Sequence, residues 1–139
     1  MIQIEKIFPI SKEKLWKALT NHRQMQQWYF KELKDFNAEI GFKTSFSLEY
    51  QGKIFTHQWR VYEVIPKKRI AYHWQYKEYE GDSTVSFDLE NTNDGVRLLL
   101  EANIIKSFPS IEEFSRENME AGWRELIEKR LTTFLNSKV

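Results

Sequence analysis

The feature that most constrains the fold is the alternation of apolar and polar side chains between residues 42 and 102. Five runs in this segment carry apolar residues at every second position, which is the period of a β-strand with one buried face. Short turn sequences separate the runs: QGK (51–53), PKK (66–68), EGDS (80–83) and NTNDG (91–95). Because such short connections join neighbouring strands, the segment predicts an antiparallel meander of five strands, with a bulge near the end of the second strand.

A further strand and two short helices are predicted before the meander. Residues 2–8 alternate like a strand, and Pro9 ends the run. Ser11 and Asn21 each begin a short amphipathic segment, where their side chains can accept a hydrogen bond from a free backbone N–H. We therefore expect two short helices between residues 11 and 28.

The segment after Pro109 predicts a long helix that runs to about residue 136. Ser110 and Glu113 have the spacing of a capping box at its start. Apolar residues then recur at intervals of three and four, which places them on one helix face: Met119, Trp123, Leu126, Ile127, Leu131, Phe134 and Leu135. At 1.5 Å per residue the helix is about 35–40 Å long, enough to cross the whole sheet.

Gly122 interrupts this helix directly before Trp123, next to the apolar face. Glycine in a helix interior costs roughly 1 kcal/mol relative to alanine, so its presence needs a reason. We interpret it as a packing requirement, in which the missing side chain lets a strand or the two short helices approach closely. On this interpretation, Gly122→Ala destabilises the protein by steric clash.

The predicted order of elements is β-α-α-β5-α, which indicates an α+β protein. The sheet must bury its apolar face, and the last helix is the long amphipathic element that can cover it. We expect the sheet to curve around this helix and to leave an internal cavity, since a strongly curved sheet and a long helix seldom close perfectly. Residues 1–139 are expected to form a single domain, because this length is near the commonest domain size.

Several segments, taken in order, resemble those of a known superfamily. They are KLWKALTNHRQMQQW (14–28), Gly41 before the second strand, VYEVIPKKRIAYHW (61–74), STVSFDL (83–89), DGVRLLL (94–100) and GW (122–123). Together they are similar to the START/Bet v 1-like superfamily, also called SRPBCC, and within it to the group that resembles the activator of heat-shock protein 90 ATPase. The resemblance spans nearly the whole chain and implies the helix-grip fold, a curved antiparallel sheet wrapped around a long C-terminal helix.

Two positions depart from the pattern of this group. Relatives often have a second glycine after the one at Gly41, where this chain has Phe42, and a histidine near the end of the sixth strand, where it reads EAN (101–103). Both departures imply a pocket more apolar than in many relatives. Superfamily members bind lipids, sterols, hormones and polyketides, and some are cyclases or hydrolases. Chaperone activation is not implied, because the eukaryotic activator also uses a separate chaperone-binding domain, for which 139 residues leave no room.

The ligand-binding residues expected in such a fold face inward and are mostly aromatic. They would line a cavity that holds a hydrophobic or aromatic small molecule, since apolar and aromatic side chains dominate such sites. The candidates are Trp28, Phe46, Leu48, His57, Trp59, Tyr72, Trp74, Tyr76, Phe87, Trp123 and Ile127. The same alternation is also typical of core packing, so the rings could instead fill the interior.

Catalytic residues, metal ligands and cofactors are not predicted. The chain has no cysteine, and its three histidines, His22, His57 and His73, do not have the spacing of metal ligands. His57 shares the strand parity of the apolar face and could point inward. An enzyme of cyclase or hydrolase type that uses His57, or a cavity tyrosine such as Tyr72 or Tyr76, is the second hypothesis.

Charge and hydropathy bear on partners and location. The 21 basic and 20 acidic residues give a net charge of +1, which does not indicate a nucleic-acid surface. No apolar stretch approaches the roughly 20 residues needed for membrane insertion, and no signal-peptide core begins the chain, so a cytoplasmic protein is expected. Edge strands could support a homodimer. A third hypothesis is a stress-related interaction module, although the sequence does not support a chaperone partner.

Overall fold

The computed structural model describes residues 1–137 and has the predicted order of elements. Strand β1 (Ile2–Phe8) is followed by helices α1 (Lys12–Thr20) and α2 (His22–Trp28), and then by strands β2 (Lys43–Tyr50), β3 (Lys53–Ile65), β4 (Arg69–Tyr76), β5 (Tyr79–Thr92) and β6 (Gly95–Lys106). After these come a 3₁₀ turn (Glu112–Phe114), helix α3 (Arg116–Arg124), a π-helical segment (Glu125–Leu131) and helix α4 (Thr132–Ser137). The last three follow one another without a break and are called the C-terminal helix below.

The strands form one antiparallel sheet in the order β1-β6-β5-β4-β3-β2. The predicted meander is therefore confirmed, and β1 is added beside β6, where Ile4 lies opposite Leu100. The bulge predicted in β3 is also present, as a register shift between Val61 and Glu63. With the C-terminal helix on its apolar face, this curved sheet is the α+β helix-grip fold that the sequence predicts.

Both predicted caps of the short helices are confirmed. The Ser11 hydroxyl accepts a hydrogen bond from the backbone N–H of Lys14 at 3.1 Å. The Asn21 side chain accepts one from the backbone N–H of Gln24, also at 3.1 Å. Each cap satisfies a donor that the first helical turn leaves free. The helices therefore begin where the sequence places them, and together they connect β1 and β2 at opposite edges of the sheet.

The turn predicted at EGDS (80–83) is wrong, because these residues belong to β5. The chain instead turns at residues 77 and 78, with Tyr76 opposite Tyr79. The Glu78 carboxylate holds this turn against β3, since it accepts a hydrogen bond from the backbone N–H of Thr56 at 2.7 Å. Gly81 has a φ of +127°, and a Cβ added there would lie 2.3 Å from the Phe108 ring. Position 81 therefore requires glycine because the Phe108 ring comes close to the backbone of the strand there.

The C-terminal helix begins later than predicted. Its N-cap is Ser115, whose hydroxyl accepts a hydrogen bond from the backbone N–H of Asn118 at 3.2 Å. The predicted capping box of Ser110 and Glu113 is therefore wrong. The Glu113 carboxylate instead pairs with the ammonium group of Lys53 on β3, with an N–O distance of 3.0 Å. This contact links the 3₁₀ turn to the sheet.

The middle of the C-terminal helix is π-helical rather than α-helical. The π-helical segment spans Glu125–Leu131, and just after it the Thr132 side-chain hydroxyl donates to the carbonyl of Ile127 at 3.0 Å. In an α-helix, residues four apart drift by about 40° around the axis with each step. The wider π turn reduces this drift, so that Trp123, Ile127, Leu131 and Leu135, at intervals of four, are all buried. The apolar stripe predicted from the sequence thus stays on the sheet.

The close approach predicted at Gly122 is absent. A Cβ built on Gly122 would meet no atom within 4 Å, apart from the neighbouring backbone of its own helix. The residue is exposed, and the packing account of its glycine is therefore wrong. Within residues 1–137, no helix has the length and hydropathy needed to cross a membrane.

Candidate ligand-binding cleft

A cleft opens between the sheet and the beginning of α3, at the end of the sheet where β3 and β5 start and β4 and β6 end. Its volume is about 320 Å³, at the lower end of the range of about 300–1,000 Å³ for small-molecule sites. The residues that line it are Met1, Ile2, Phe30, His57, Trp74, Tyr76, Ser83, Val85, Ala102, Asn103, Ile104, Glu113, Phe114, Arg116, Asn118, Met119, Gly122, Trp123 and Leu126. The cleft is therefore formed by the sheet, the loop after α2 and the C-terminal helix together.

Aromatic rings form much of the cleft wall. Trp74 on β4 and Trp123 on α3 meet edge to face, with ring centroids 5.4 Å apart and planes at 75°. The Phe30 ring lies 5.9 Å from Trp74, and the Phe114 ring lies 5.0 Å from Tyr76. Such contacts fix the rings relative to one another, because edge-on arrangements are favoured by the ring quadrupoles. The wall thus presents rigid, flat apolar surfaces.

His57 on β3 is 6% exposed and lies among aromatic rings. It stacks on Phe46, with centroids 4.8 Å apart and planes at 9°, and its ring lies 4.9 Å from that of Tyr76. Burial lowers the pKa of His57 to about 3, although the negative charge of Glu78 acts to raise it. The imidazole is therefore neutral at pH 7. Its Nδ1 atom has no hydrogen-bond partner among residues 1–137.

The indole N–H of Trp74 is a second buried polar group without a hydrogen bond in the described part of the chain. Burial raises the pKa of the Tyr76 hydroxyl, and the nearby Trp74 indole acts in the opposite direction. The two groups are thus close, but they lack the geometry of a hydrogen bond. Buried polar groups in proteins nearly always have partners, so these two atoms of the cleft lining are unusual, as is the indole N–H of Trp59 in the core behind it.

Behind the cleft the interior is closed by aromatic packing. Tyr29 and Tyr72 are both buried, and their hydroxyl groups share a hydrogen bond of 2.7 Å. The Tyr29 ring lies 5.1 Å from Trp59 and 6.1 Å from Trp123. Burial raises the pKa of both tyrosines, so both are neutral at pH 7. This half of the interior is a packed core, whereas the half toward α3 is open.

The eleven residues expected to bind a ligand are divided between these two regions. Four line the cleft: His57, Trp74, Tyr76 and Trp123. The other seven are core or edge residues outside its lining: Trp28, Phe46, Leu48, Trp59, Tyr72, Phe87 and Ile127. Strand parity identifies the face on which these side chains lie, but it does not distinguish the middle of a strand from the end that reaches the cleft.

Several cleft residues were not among those expected from the sequence. Phe30 lies in the loop after α2 and Phe114 in the 3₁₀ turn, where no periodic pattern indicates an orientation. Ser83 alternates with apolar residues and is expected to face solvent, but it is buried, and its hydroxyl donates to the carbonyl of Trp74 at 2.7 Å. The sequence singles out Gly122, but as a packing requirement rather than as part of a cleft. Its position in the lining shows that the missing side chain leaves the cleft open at this point.

The mouth of the cleft combines apolar and charged side chains. Met1 is 62% exposed and Ile104 is 49% exposed. Glu113 is paired with Lys53, and the guanidinium of Arg116 lies 3.7 Å from the Glu120 carboxylate. The charged groups therefore lie at the mouth and have partners of opposite sign. The deep end contains the neutral His57 ring instead.

The cleft lacks the features of a metal or acid–base site in the described part of the chain. No group of three or more histidine and acidic side chains within residues 1–137 could hold a metal ion. His57 has a pKa of about 3, which makes it a weak general base at neutral pH. The arrangement is therefore suited to enclosing an apolar molecule and offering it one or two hydrogen bonds.

A second depression, of about 470 Å³, lies mainly on the outer face of the sheet. Lys34, Lys43 and Arg60 line it, together with His73, whose Nδ1 lies 3.1 Å from the Asp82 carboxylate. Exposed basic side chains on an outer sheet face are typical of a solvated surface. The aromatic cleft is therefore the stronger candidate for a binding site.

The fold and the cleft together define a helix-grip protein of the START/Bet v 1-like type. Residues 9–136 match the family model described as "Activator of Hsp90 ATPase homolog 1-like protein", and the chain belongs to this family. The resemblance identified in the sequence is thereby confirmed. No curated protein matches the chain.

Solved structures share the fold over most of their length. MLL2253 from Mesorhizobium loti is 25% identical, with a TM-score of 0.77 over 99% of this chain and 98% of that one. CV1439 from Chromobacterium violaceum is 17% identical, with a TM-score of 0.77 over 95% and 94% of the two chains. CalU16 from Micromonospora echinospora is 20% identical, with a TM-score of 0.69 over 96% and 74%. At these lower identities the last two show the fold alone.

Proposed function

We propose that this protein binds a small, predominantly apolar molecule with an aromatic ring in the cleft between the sheet and α3. The observation that carries the proposal is the cleft itself, with a volume of about 320 Å³ and a wall of aromatic rings. An apolar molecule that enters it removes its own surface and that of the rings from water, which contributes roughly 25 cal/mol per Å² of buried apolar area. Membership of the family is compatible with this role.

The rigidity of the wall favours a flat ligand. Trp74 and Trp123 contact each other and also pack on the core, Trp74 against Trp59 at 5.1 Å and Trp123 against Phe87 at 6.1 Å. A wall held in this way does not need to be ordered when a ligand binds, so less affinity is lost to side-chain entropy. Rigid aromatic surfaces complement planar rings better than flexible chains.

Catalysis has no comparable support. Burial lowers the pKa of His57 to about 3, and among residues 1–137 its Nδ1 is without a hydrogen-bonded carboxylate that would orient or activate the ring. Burial also raises the pKa of Tyr76, which disfavours a tyrosinate. Binding without turnover is therefore the simpler function for this cleft.

Titration with 2-methylnaphthalene tests the proposal, with tryptophan fluorescence and native mass spectrometry as readouts. Trp74 and Trp123 line the cleft, whereas Trp16 on α1 lies outside it. We expect one bound molecule per chain and a fluorescence change that is reduced in Trp123→Phe but retained in the control Trp16→Phe. If wild-type protein shows no bound compound near its solubility limit, the proposal fails for a ligand of this size and class.

A further inference from the structure

We infer that the ligand of this cleft carries an uncharged oxygen group, a hydroxyl or a carbonyl, that binds to His57 and Trp74 at the deep end. This inference rests on the proposed function and specifies the chemistry of the ligand. It follows from the two unpaired polar atoms of the cleft, His57 Nδ1 and Trp74 Nε1. The rings of the two residues are neighbours in the cleft lining, with centroids 5.4 Å apart, and we place the oxygen group of the ligand at their edges, where it can contact both atoms.

The unpaired atoms are informative because they are otherwise costly. A buried polar group without a partner loses its hydrogen bonds to water and gains none in return. The side chains of Phe30 and Phe46 offer His57 only ring contacts. The Tyr76 hydroxyl lies near the Trp74 indole but is not in hydrogen-bonding geometry with either unpaired atom. A bound ligand that supplies the missing partner removes this cost, which would select for that ligand over a purely apolar one.

The chemistry of the two atoms indicates an oxygen function. The indole N–H of Trp74 is a donor only, so it requires an acceptor. The neutral His57 ring has one donor and one acceptor nitrogen, and either tautomer is compatible with a hydroxyl. With a lone pair on Nδ1, the hydroxyl donates to His57 and accepts from Trp74; with a hydrogen on Nδ1, its oxygen accepts from both. A carbonyl oxygen can accept in the same way in the second case.

The charges around the cleft argue against an ionised group at the deep end. Glu113 and Arg116, the charged side chains in the lining, lie at the mouth and are paired with Lys53 and Glu120. A carboxylate beside the neutral His57 ring would have no cation to balance it, and an ammonium group would have no anion. An uncharged oxygen group forms the hydrogen bonds without that cost.

The test compares the binding of 2-naphthol with that of 2-methylnaphthalene, which has a methyl group in place of the hydroxyl. Titration calorimetry measures both compounds on wild-type protein, on His57→Phe and on Trp74→Phe. The quantity of interest is the ratio of the two dissociation constants, because loss of ring contacts affects both compounds alike. We expect each substitution to shift this ratio against 2-naphthol by about five- to tenfold, the effect of one neutral hydrogen bond. The control Trp16→Phe should leave it unchanged.

Each result has a distinct meaning. If 2-methylnaphthalene binds and the ratio is the same in wild type, His57→Phe and Trp74→Phe, this inference is overturned while the proposed function stands. If neither compound binds wild-type protein, both are overturned. His57→Phe removes an unpaired polar group from an apolar site and should fold, and Trp74→Phe provides an independent measurement on the neighbouring strand.

Discussion

Trp123 of the C-terminal helix and Trp74 of the sheet meet edge to face, with ring centroids 5.4 Å apart. This contact is the boundary between the two halves of the interior. Behind it, Trp123 packs on Tyr29 and Phe87 in the closed core. In front of it, both tryptophans line the cleft. Trp123 therefore completes the core on one side and forms part of a binding surface on the other.

Gly122→Ala is expected to stabilise the protein. Gly122 lies inside α3, its added Cβ would meet no atom within 4 Å, and alanine is favoured over glycine in a helix by about 0.5–1 kcal/mol. Urea unfolding should show this gain, and Ala121→Gly, one position earlier on the exposed surface, should lose a similar amount. A less stable Gly122→Ala protein would mean that the backbone there does need a close approach.

Ser115→Ala is expected to destabilise the protein by about 1 kcal/mol, because it removes the N-cap of α3. Ser110→Ala is the matched control, since it makes the same chemical change five residues earlier, outside the helix. Thermal unfolding of the two variants should separate them clearly. Equal losses, or a larger loss for Ser110→Ala, would show that the helix begins at the capping box that the sequence suggests.

The hydrogen bond between Tyr29 and Tyr72 predicts coupling between these residues. Tyr29→Phe or Tyr72→Phe alone leaves one buried hydroxyl without its partner, which costs about 1–3 kcal/mol. Tyr29→Phe/Tyr72→Phe together removes both hydroxyls, so the loss should be smaller than the sum of the single losses. A double-mutant cycle from denaturant unfolding measures this difference. Strictly additive losses would show that the two hydroxyls do not interact.

The lowered pKa of the buried His57 predicts that the protein loses stability in mild acid. The pKa of His57 is about 3 in the folded protein and about 6.5 when exposed, so the unfolded chain binds a proton at higher pH than the folded chain does. The folded state is therefore not penalised above pH 6.5 and loses stability as the pH falls from about 6.5 toward 3. His57 contributes at most about 1.4 kcal/mol per pH unit to the slope of the unfolding free energy against pH.

Comparison with His57→Phe isolates this effect from the other titrating groups. The variant lacks the imidazole, so its stability should fall less between pH 6.5 and 5 than that of wild type. The difference between the two unfolding free energies is measured across this range in the same buffers. If the two curves remain parallel, the folded and exposed pKa values of His57 are the same and the ring is not buried as described.

The fold could be predicted from the sequence because its determinants are local. Strand alternation, the caps at Ser11 and Asn21 and the apolar stripe of the C-terminal helix are each visible within a short segment. The errors arose where a distant contact decides. Glu113 does not cap the helix but pairs with Lys53, 60 residues away. Gly81 does not lie in a turn but in β5, where the Phe108 ring packs against it.

The candidate site could be predicted only in part, for a related reason. Strand parity correctly placed His57 and Trp74 on the inner face of the sheet, and both line the cleft. Trp59 and Tyr72 have the same parity but are covered by Tyr29, a residue at the end of α2 whose position no strand pattern indicates. Which inner residues remain accessible therefore depends on how the helices and loops cover the sheet.

The most direct test of the account is the affinity of Gly122→Leu for 2-methylnaphthalene, measured beside that of Ala121→Leu. Gly122 lines the cleft and Ala121 does not, although both are exposed positions on the same helix. If the cleft is the binding site, a leucine at position 122 should occupy it and weaken binding at least tenfold, whereas Ala121→Leu should bind like wild type. Wild-type affinity in both variants would contradict a ligand site in this cleft.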